Sequence, residues 1–286
     1  MPPCRYVFAL GALAAVLGAC GDSTDPDDDP LPDNAATAVG LTVRDNVEAS
    51  FDAFFPPRLL QPLSIGPADA PCVTPSSPAD TDGDGVPNDA TYTFTAPPCR
   101  YTGVRGFTLD AVGQLRITDP APETAGFGAT IDLTNFRFTL TAEDSDADYS
   151  VTRNGTIVLA GSPAGLELTS ELQVARTFTG LSDASVEHVW TVGFDPENTL
   201  QINQPLPSGS MTVAGAVNWH RGTENFDLTV TTATPLHYNA GCDAIGQRFD
   251  AGELRVSGTF GETPGYVSIV WEDCGDDPRI EFVAEE

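Results

Sequence analysis

From Thr91 to Gly275 the chain alternates apolar and polar residues with a period of two, stretch after stretch. TYTFTA, FTLDAVGQLRITD, GATIDLTNFRFTLTAED, DYSVTRNGTIVLAG, LELTSELQVARTF and ASVEHVWTVGF follow one another. SGSMTVAGAVNWHRG, ENFDLTVTTATPLHY, GELRVSGTFG and GYVSIVWEDCG continue the series. Successive side chains of a strand point to opposite faces, so this pattern predicts strands with one buried side. Turn signals punctuate them at Asn154-Gly155, Ser162-Pro163 and Glu262-Thr263-Pro264-Gly265. Short connections join antiparallel neighbours. The expected fold class is therefore all-β, a large antiparallel meander of about 10–12 strands. A sheet that size curls, closes or splits into layers, so a sandwich or an open barrel is predicted. Within ATIDLTNFRFTL, Ile131, Leu133, Phe136, Phe138 and Leu140 are apolar, while Asp132, Arg137 and Thr139 take the other face. The phase slips once at Thr134-Asn135, which predicts a β-bulge.

Ahead of the strands, LTVRDNVEASFDAFF (41–55) places Val43, Val47, Phe51 and Phe54 or Phe55 at helical spacing. Pro56-Pro57 would stop that helix, and its apolar face would cover one side or end of the sheet. The expected organisation is a leader over 1–19, an acidic disordered tether over 20–36 and one β-rich domain over 37–286, with an excursion at about 72–99.

Formal net charge is −28, and all 13 basic residues are arginines. A field of that sign repels phosphates, which argues against nucleic-acid binding and favours divalent cations and cationic ligands. No stretch after the leader approaches the length of apolar residues that spans a bilayer as a helix.

The N-terminus, MPPCRYVFALGALAAVLGACGDS, has a basic Arg5 followed by an apolar run from Tyr6 to Ala19. That run is too short for a spanning helix and fits a signal peptide. Its end, Leu17-Gly18-Ala19-Cys20, resembles the lipobox of bacterial lipoproteins, which implies cleavage before Cys20 and lipidation of that cysteine. Several acyl chains on one residue make a stable anchor. Gly21, not an aspartate, follows the cysteine, so the resemblance implies the outer membrane, facing the periplasm or the cell surface. The following GDSTDPDDDPLPDNAA is too acidic and too poor in apolar residues to bury surface, and reads as a tether. A lipid-facing transmembrane barrel would also alternate, but the lipobox and the acidic outer face point to a soluble module held by its anchor.

Of the six cysteines, Cys4 falls in the leader and Cys20 takes the lipid, leaving Cys72, Cys99, Cys242 and Cys274. An even remainder in an exported chain predicts disulfides. Three pairings are open; the two local ones, Cys72–Cys99 and Cys242–Cys274, are favoured. Each closes a loop of about 30 residues, worth about 3–4 kcal/mol. Zinc is disfavoured because no C-x-x-C or C-x-H pair occurs. The C-terminal third, through TTATPLHYNAGC (231–242), GELRVSG (252–258) and VSIVWEDCG (267–275), resembles a set of uncharacterised bacterial lipoproteins. That resemblance implies a long meander, supports Cys242–Cys274 and implies no activity.

One loop carries metal chemistry. In DTDGDGVPND, Asp80, Asp82 and Asp84 take positions 1, 3 and 5 of a calcium loop, and Gly85 at position 6 permits the sharp turn. Val86 would offer its carbonyl, and Asn88 and Asp89 would complete the shell. The stretch resembles the aspartate-rich repeats of thrombospondin type 3 and of bacterial surface proteins. It departs from the EF-hand at position 12, which is Thr91 and not a bidentate Glu. Ca2+ is thus the expected cofactor, in a structural role, since millimolar extracellular calcium keeps even a weak site filled.

Catalytic signatures are missing from the sequence: there is no G-x-S-x-G elbow and no H-E-x-x-H. His188, His220 and His237 each lie in a strand pattern beside an aromatic residue and are expected to pack. Carboxylate pairs for glycoside hydrolysis are uninformative among 41 acids. The favoured expectation is a non-catalytic, membrane-anchored structural or interaction module, with a protein, glycan or lipid partner unspecified. The alternative is a hydrophobic-ligand or lipid carrier resembling open half-barrels, which predicts an apolar cavity between helix and sheet. A secreted hydrolase ranks third.

Overall fold

The structure, a computed structural model, describes residues 31–54, 73–75, 79–104, 107–142, 148–178, 183–242, 248–274 and 276–285. The leader, Cys20 and Cys72 lie outside the described residues. One helix, α1 (Leu31–Asp52), precedes twelve strands: β1 (Val73–Pro75), β2 (Asp89–Val104), β3 (Phe107–Thr118), β4 (Ala129–Ala142), β5 (Asp148–Ser162) and β6 (Gly165–Phe178), then β7 (Ala184–Pro196), β8 (Gly209–Arg221), β9 (Glu224–Tyr238), β10 (Phe249–Phe260), β11 (Thr263–Trp271) and β12 (Arg279–Ala284). Every strand pairs antiparallel with the next, so sheet order is chain order from β1 to β12 and the sheet is open at both edges. This is the all-β meander with one N-terminal helix that the alternation predicts.

The predicted bulge is present. Register shifts between Leu133 and Phe136, and Asn135 adopts a positive φ of 47°. Its N–H, freed from the ladder, donates to Asn154 Oδ1 at 2.6 Å. Asn154-Gly155 is therefore not a turn, as expected from sequence, but lies inside β5, paired with Gln173 and Leu172. Gly155 holds φ at 127°, and a Cβ there would sit 2.1 Å from the Glu171 carbonyl oxygen, so glycine serves the strand at that point. The turns at Ser162-Pro163 and around Glu262 fall where the sequence puts them, after β5 and between β10 and β11.

The helix also differs from its expected bounds. It begins at Leu31, inside the stretch assigned to the tether, and ends at Asp52 rather than Phe55. Pro32 and Asp33 suit a first helical turn, where a missing N–H costs nothing and a negative charge faces the helix dipole. The alanines that follow are the strongest helix formers. Val39, Val43, Val47 and Phe51, four residues apart, are at most 1 % exposed. Each such side chain contributes about 1.5–3 kcal/mol by leaving water.

The sheet curls round this helix. Asp45 reaches Arg176 on β6, Ser50 reaches Trp190 on β7, and Thr42 reaches Trp219 on β8. Phe51 packs edge-on or tilted against Phe194, Tyr238 and Phe249 of β7, β9 and β10, and Gly40 abuts Val267 and Ile280 of β11 and β12. Seven adjacent strands span about 29 Å at their usual spacing, far more than a helix is wide. They reach one helix only by wrapping it. On β7, Val186, His188, Trp190, Val192 and Phe194 face inward in strict alternation with exposed residues. Trp190, Trp219 and Trp271 are all buried.

The two ends of the sheet differ. Among the described connections, β6 reaches β5, β9 reaches β8 and β11 reaches β10 through two residues each, the first at one end of the sheet and the other two at the opposite end. Two long loops, 119–128 and 197–208, lie at one end together with residues 239–242 after β9 and the stretch leading into β2. The C-terminal turn of α1 emerges at that same end, beside Phe194 and Tyr238.

Candidate functional site

The loop end of the sheet is a connected layer. The stretch 79–88 closes on itself through Asn88 N–H to the Ala79 carbonyl at 2.7 Å and sits on β3 through Asp119 N–H to the Pro87 carbonyl at 3.1 Å. Val86 is 7 % exposed and belongs to the core, which pins the loop from below. Two neighbouring loops hold it from the sides. Gly126 N–H donates to Asp84 Oδ2 at 3.1 Å, and Asn203 Nδ2 donates to the Gly83 carbonyl at 2.8 Å. The 197–208 loop in turn binds the β5–β6 turn, through Leu200 N–H to the Pro163 carbonyl at 2.9 Å.

Inside this loop the aspartates converge. One carboxylate oxygen from each of Asp80, Asp82 and Asp84 lies within 4.8 Å of the others. Two oxygens bound at calcium's usual distance lie no more than about 5 Å apart, so the three fit one ion. Backbone N–H groups already turn toward them: Gly83 and Gly85 donate to Asp80, Asp84 to Asp82, and Val86 to Asp84. Gly83 and Gly85 make this possible with φ of 78° and 90°. Asp82 Oδ2 is buried and has no hydrogen-bond partner among the described residues.

The remaining predicted ligands divide. Asn88 closes the loop onto Thr81, accepting its N–H at 3.0 Å and donating to its hydroxyl at 2.6 Å. Asp89 stands at the start of β2 in a two-point ion pair with Arg116, at 2.9 and 2.8 Å. The Arg116 hydrogen bonds hold the Asp89 carboxyl below the usual carboxylate range. Of the predicted disulfides, Cys242–Cys274 is formed, with Cα atoms 5.8 Å apart. Cys99 lies on β2, and its expected bond to Cys72 falls outside the described residues.

The three histidines have three environments. His188 lies inside the curled sheet, stacked on Trp190 at 3.9 Å, with Nε2 2.9 Å from the Ser170 hydroxyl. Burial, then the Arg153 and Arg176 charges, push its pKa down to about 3, so the imidazole is neutral. His237 bridges Asp250 through Nδ1 at 2.6 Å and Glu197 through Nε2 at 3.1 Å. Those two hydrogen bonds raise its pKa. His220 is exposed on the outer face of β8. None of these pairs is adjacent in sequence. The Ser170 and Asp250 partners follow from strand register, which the sequence pattern leaves open, whereas the His188–Trp190 pair, two apart on β7, and its inward phase are readable in VEHVWTVGF.

Comparison with known proteins returns no matching family model, curated protein or solved structure. No helix among the described residues is long and apolar enough to cross a membrane.

Proposed function

We propose that this chain is a lipid-anchored bacterial β-module that works by contact and not by making or breaking bonds, with calcium as a structural staple at its loop end. The observation that supports this most is α1 on the inner face of the sheet. From β6 to β12 the space in which an open half-barrel would hold cargo is taken by the chain's own helix. The outer face and the loop end are left to meet partners. In this reading Cys20 carries the lipid, the outer membrane is the location, and Asp80, Asp82 and Asp84 hold the ion with further oxygens of the loop.

Calorimetric titration with calcium, accompanied by thermal melts, tests the staple. One ion binds with a dissociation constant of about 0.1–1 mM, the range of extracellular modules, and the melting temperature rises with calcium. Asp82→Ala removes both effects. No heat and no shift at millimolar calcium would leave the loop without a metal role.

The carrier reading has its own support. Tyr92, Phe138, Leu140 and Tyr149 of β2, β4 and β5 are only partly buried against the core. Saturable binding of a fatty acid that quenches tryptophan fluorescence would favour it over a contact module.

A further inference from the structure

The outer face of β5–β9 carries a groove of about 700 Å³ beside the loop end. It runs along one cross-strand row, Ala160, Glu167, Gly193 and Thr212, whose members pair in register. Gly193 forms its floor. A Cβ placed there would meet only the Thr212 hydroxyl, at 3.0 Å, so the space above it is open. Glu167 stands opposite Gly193, and Asp195 follows two residues along β7 on the same face. Diagonal neighbours of this kind have backbone positions about 7–8 Å apart, within reach of one long cationic side chain.

Neither carboxylate has a described ion-pair partner. The two arginines of β6–β8 are engaged elsewhere: Arg176 with Asp45, and Arg221 with Glu224 and over the Trp219 ring. Outward Glu171 and Glu187 extend the negative surface. Beside them Val189 is 54 % exposed and Val158 43 %, large apolar groups on the same outer face. Arginine and lysine side chains suit such a surface, because the alkyl stem covers apolar ground while the charge meets carboxylates. The chain contains no lysine, and the arginines of β6 and β8 are not directed to this row.

We propose that this groove is the docking site for a basic segment of a protein partner, with an Arg or Lys side chain laid over Gly193 between Glu167 and Asp195. The proposal rests on reading the chain as a contact module. It is independent of the calcium staple, since either test can fail and leave the other standing.

The test is fluorescence anisotropy of a labelled octa-arginine peptide with the full chain at physiological ionic strength. Glu167→Gln/Asp195→Asn weakens binding by about tenfold or more, as loss of two close charge contacts does. Glu262→Gln/Asp273→Asn changes net charge equally at exposed positions away from the groove, and weakens binding by less than about threefold, the long-range field being screened. Gly193→Leu fills the floor and weakens binding while both charges remain. If Gly193→Leu melts out of the folded state, the two charge-matched variants decide alone. Equal loss in both charge variants, or no peptide binding, overturns the proposal. An unchanged affinity in folded Gly193→Leu overturns it as well.

Discussion

Burial of the His188 imidazole makes stability depend on pH in a defined direction. Its pKa falls from an unfolded value near 6.5 to about 3 in the fold. Between those values the unfolded chain binds a proton that the folded chain refuses, so stability is full above pH 6.5 and is lost as pH falls. At about 1.4 kcal/mol per pH unit, the whole effect is on the order of 5 kcal/mol. His237 acts with the opposite sign: Asp250 and Glu197 raise its pKa, so its contribution is present below about pH 6.5 and fades as pH rises through the folded value. Urea unfolding from pH 7 to pH 4 checks the larger effect. His188→Gln flattens the acid side of the profile, and His237→Gln leaves that side steep. A profile unchanged by His188→Gln would place the titrating group elsewhere. Sequence alone shows His188 in phase with Val186 and Trp190, but Ser170 meets it only through the β6–β7 register.

Among the elements, the strands were the most legible and the helix the least. Period-two alternation is long and regular here, and the slip at Thr134-Asn135 betrays its bulge because the apolar residues change sequence parity from Leu133 to Phe136 yet stay on the buried face. The start of α1 was hidden because Asp and Pro mark both a solvated tether and a helix's first turn. What makes 31–40 helical is tertiary: Val39 and the alanines before it reach the wrapped face of the sheet. Gly40 shows how close that contact is. A Cβ there would lie 2.6 Å from Ile280 Cγ2 and 3.0 Å from Val267 Cγ1. Gly40→Leu therefore pushes β12 from the helix despite a gain in helix propensity, and costs about 1–3 kcal/mol of stability. Ile280→Ala made in the same chain recovers part of that loss, which a double-mutant cycle of thermal melts measures. Simple additivity of the two substitutions would mean that helix and edge strand are not coupled there.

At the scale of the whole molecule, no sequence pattern announces that Asn203 lies against Gly83, 120 positions away. That contact exists because the meander sends alternate connections to one end and curls until the first and the later loops meet. The same end carries the disulfide: Cys242 and Cys274, 32 positions apart, tie the β9–β10 loop to the stretch after β11. The candidate cation loop is held by different neighbours, Gly126 and Asn203. The disulfide and the candidate cation loop thus lie in different sectors of one layer, and their effects should separate. In the chain-entropy view the disulfide is worth about 3–4 kcal/mol. In a domain of this size that corresponds to roughly 6–16 °C of melting temperature. Cys242→Ser/Cys274→Ser lowers the melting temperature by that amount, while the rise produced by calcium stays the same size as in the unaltered chain. Loss of the calcium increment in the disulfide variant would show instead that the loop end melts as one unit, with the metal loop depending on the far side of the layer.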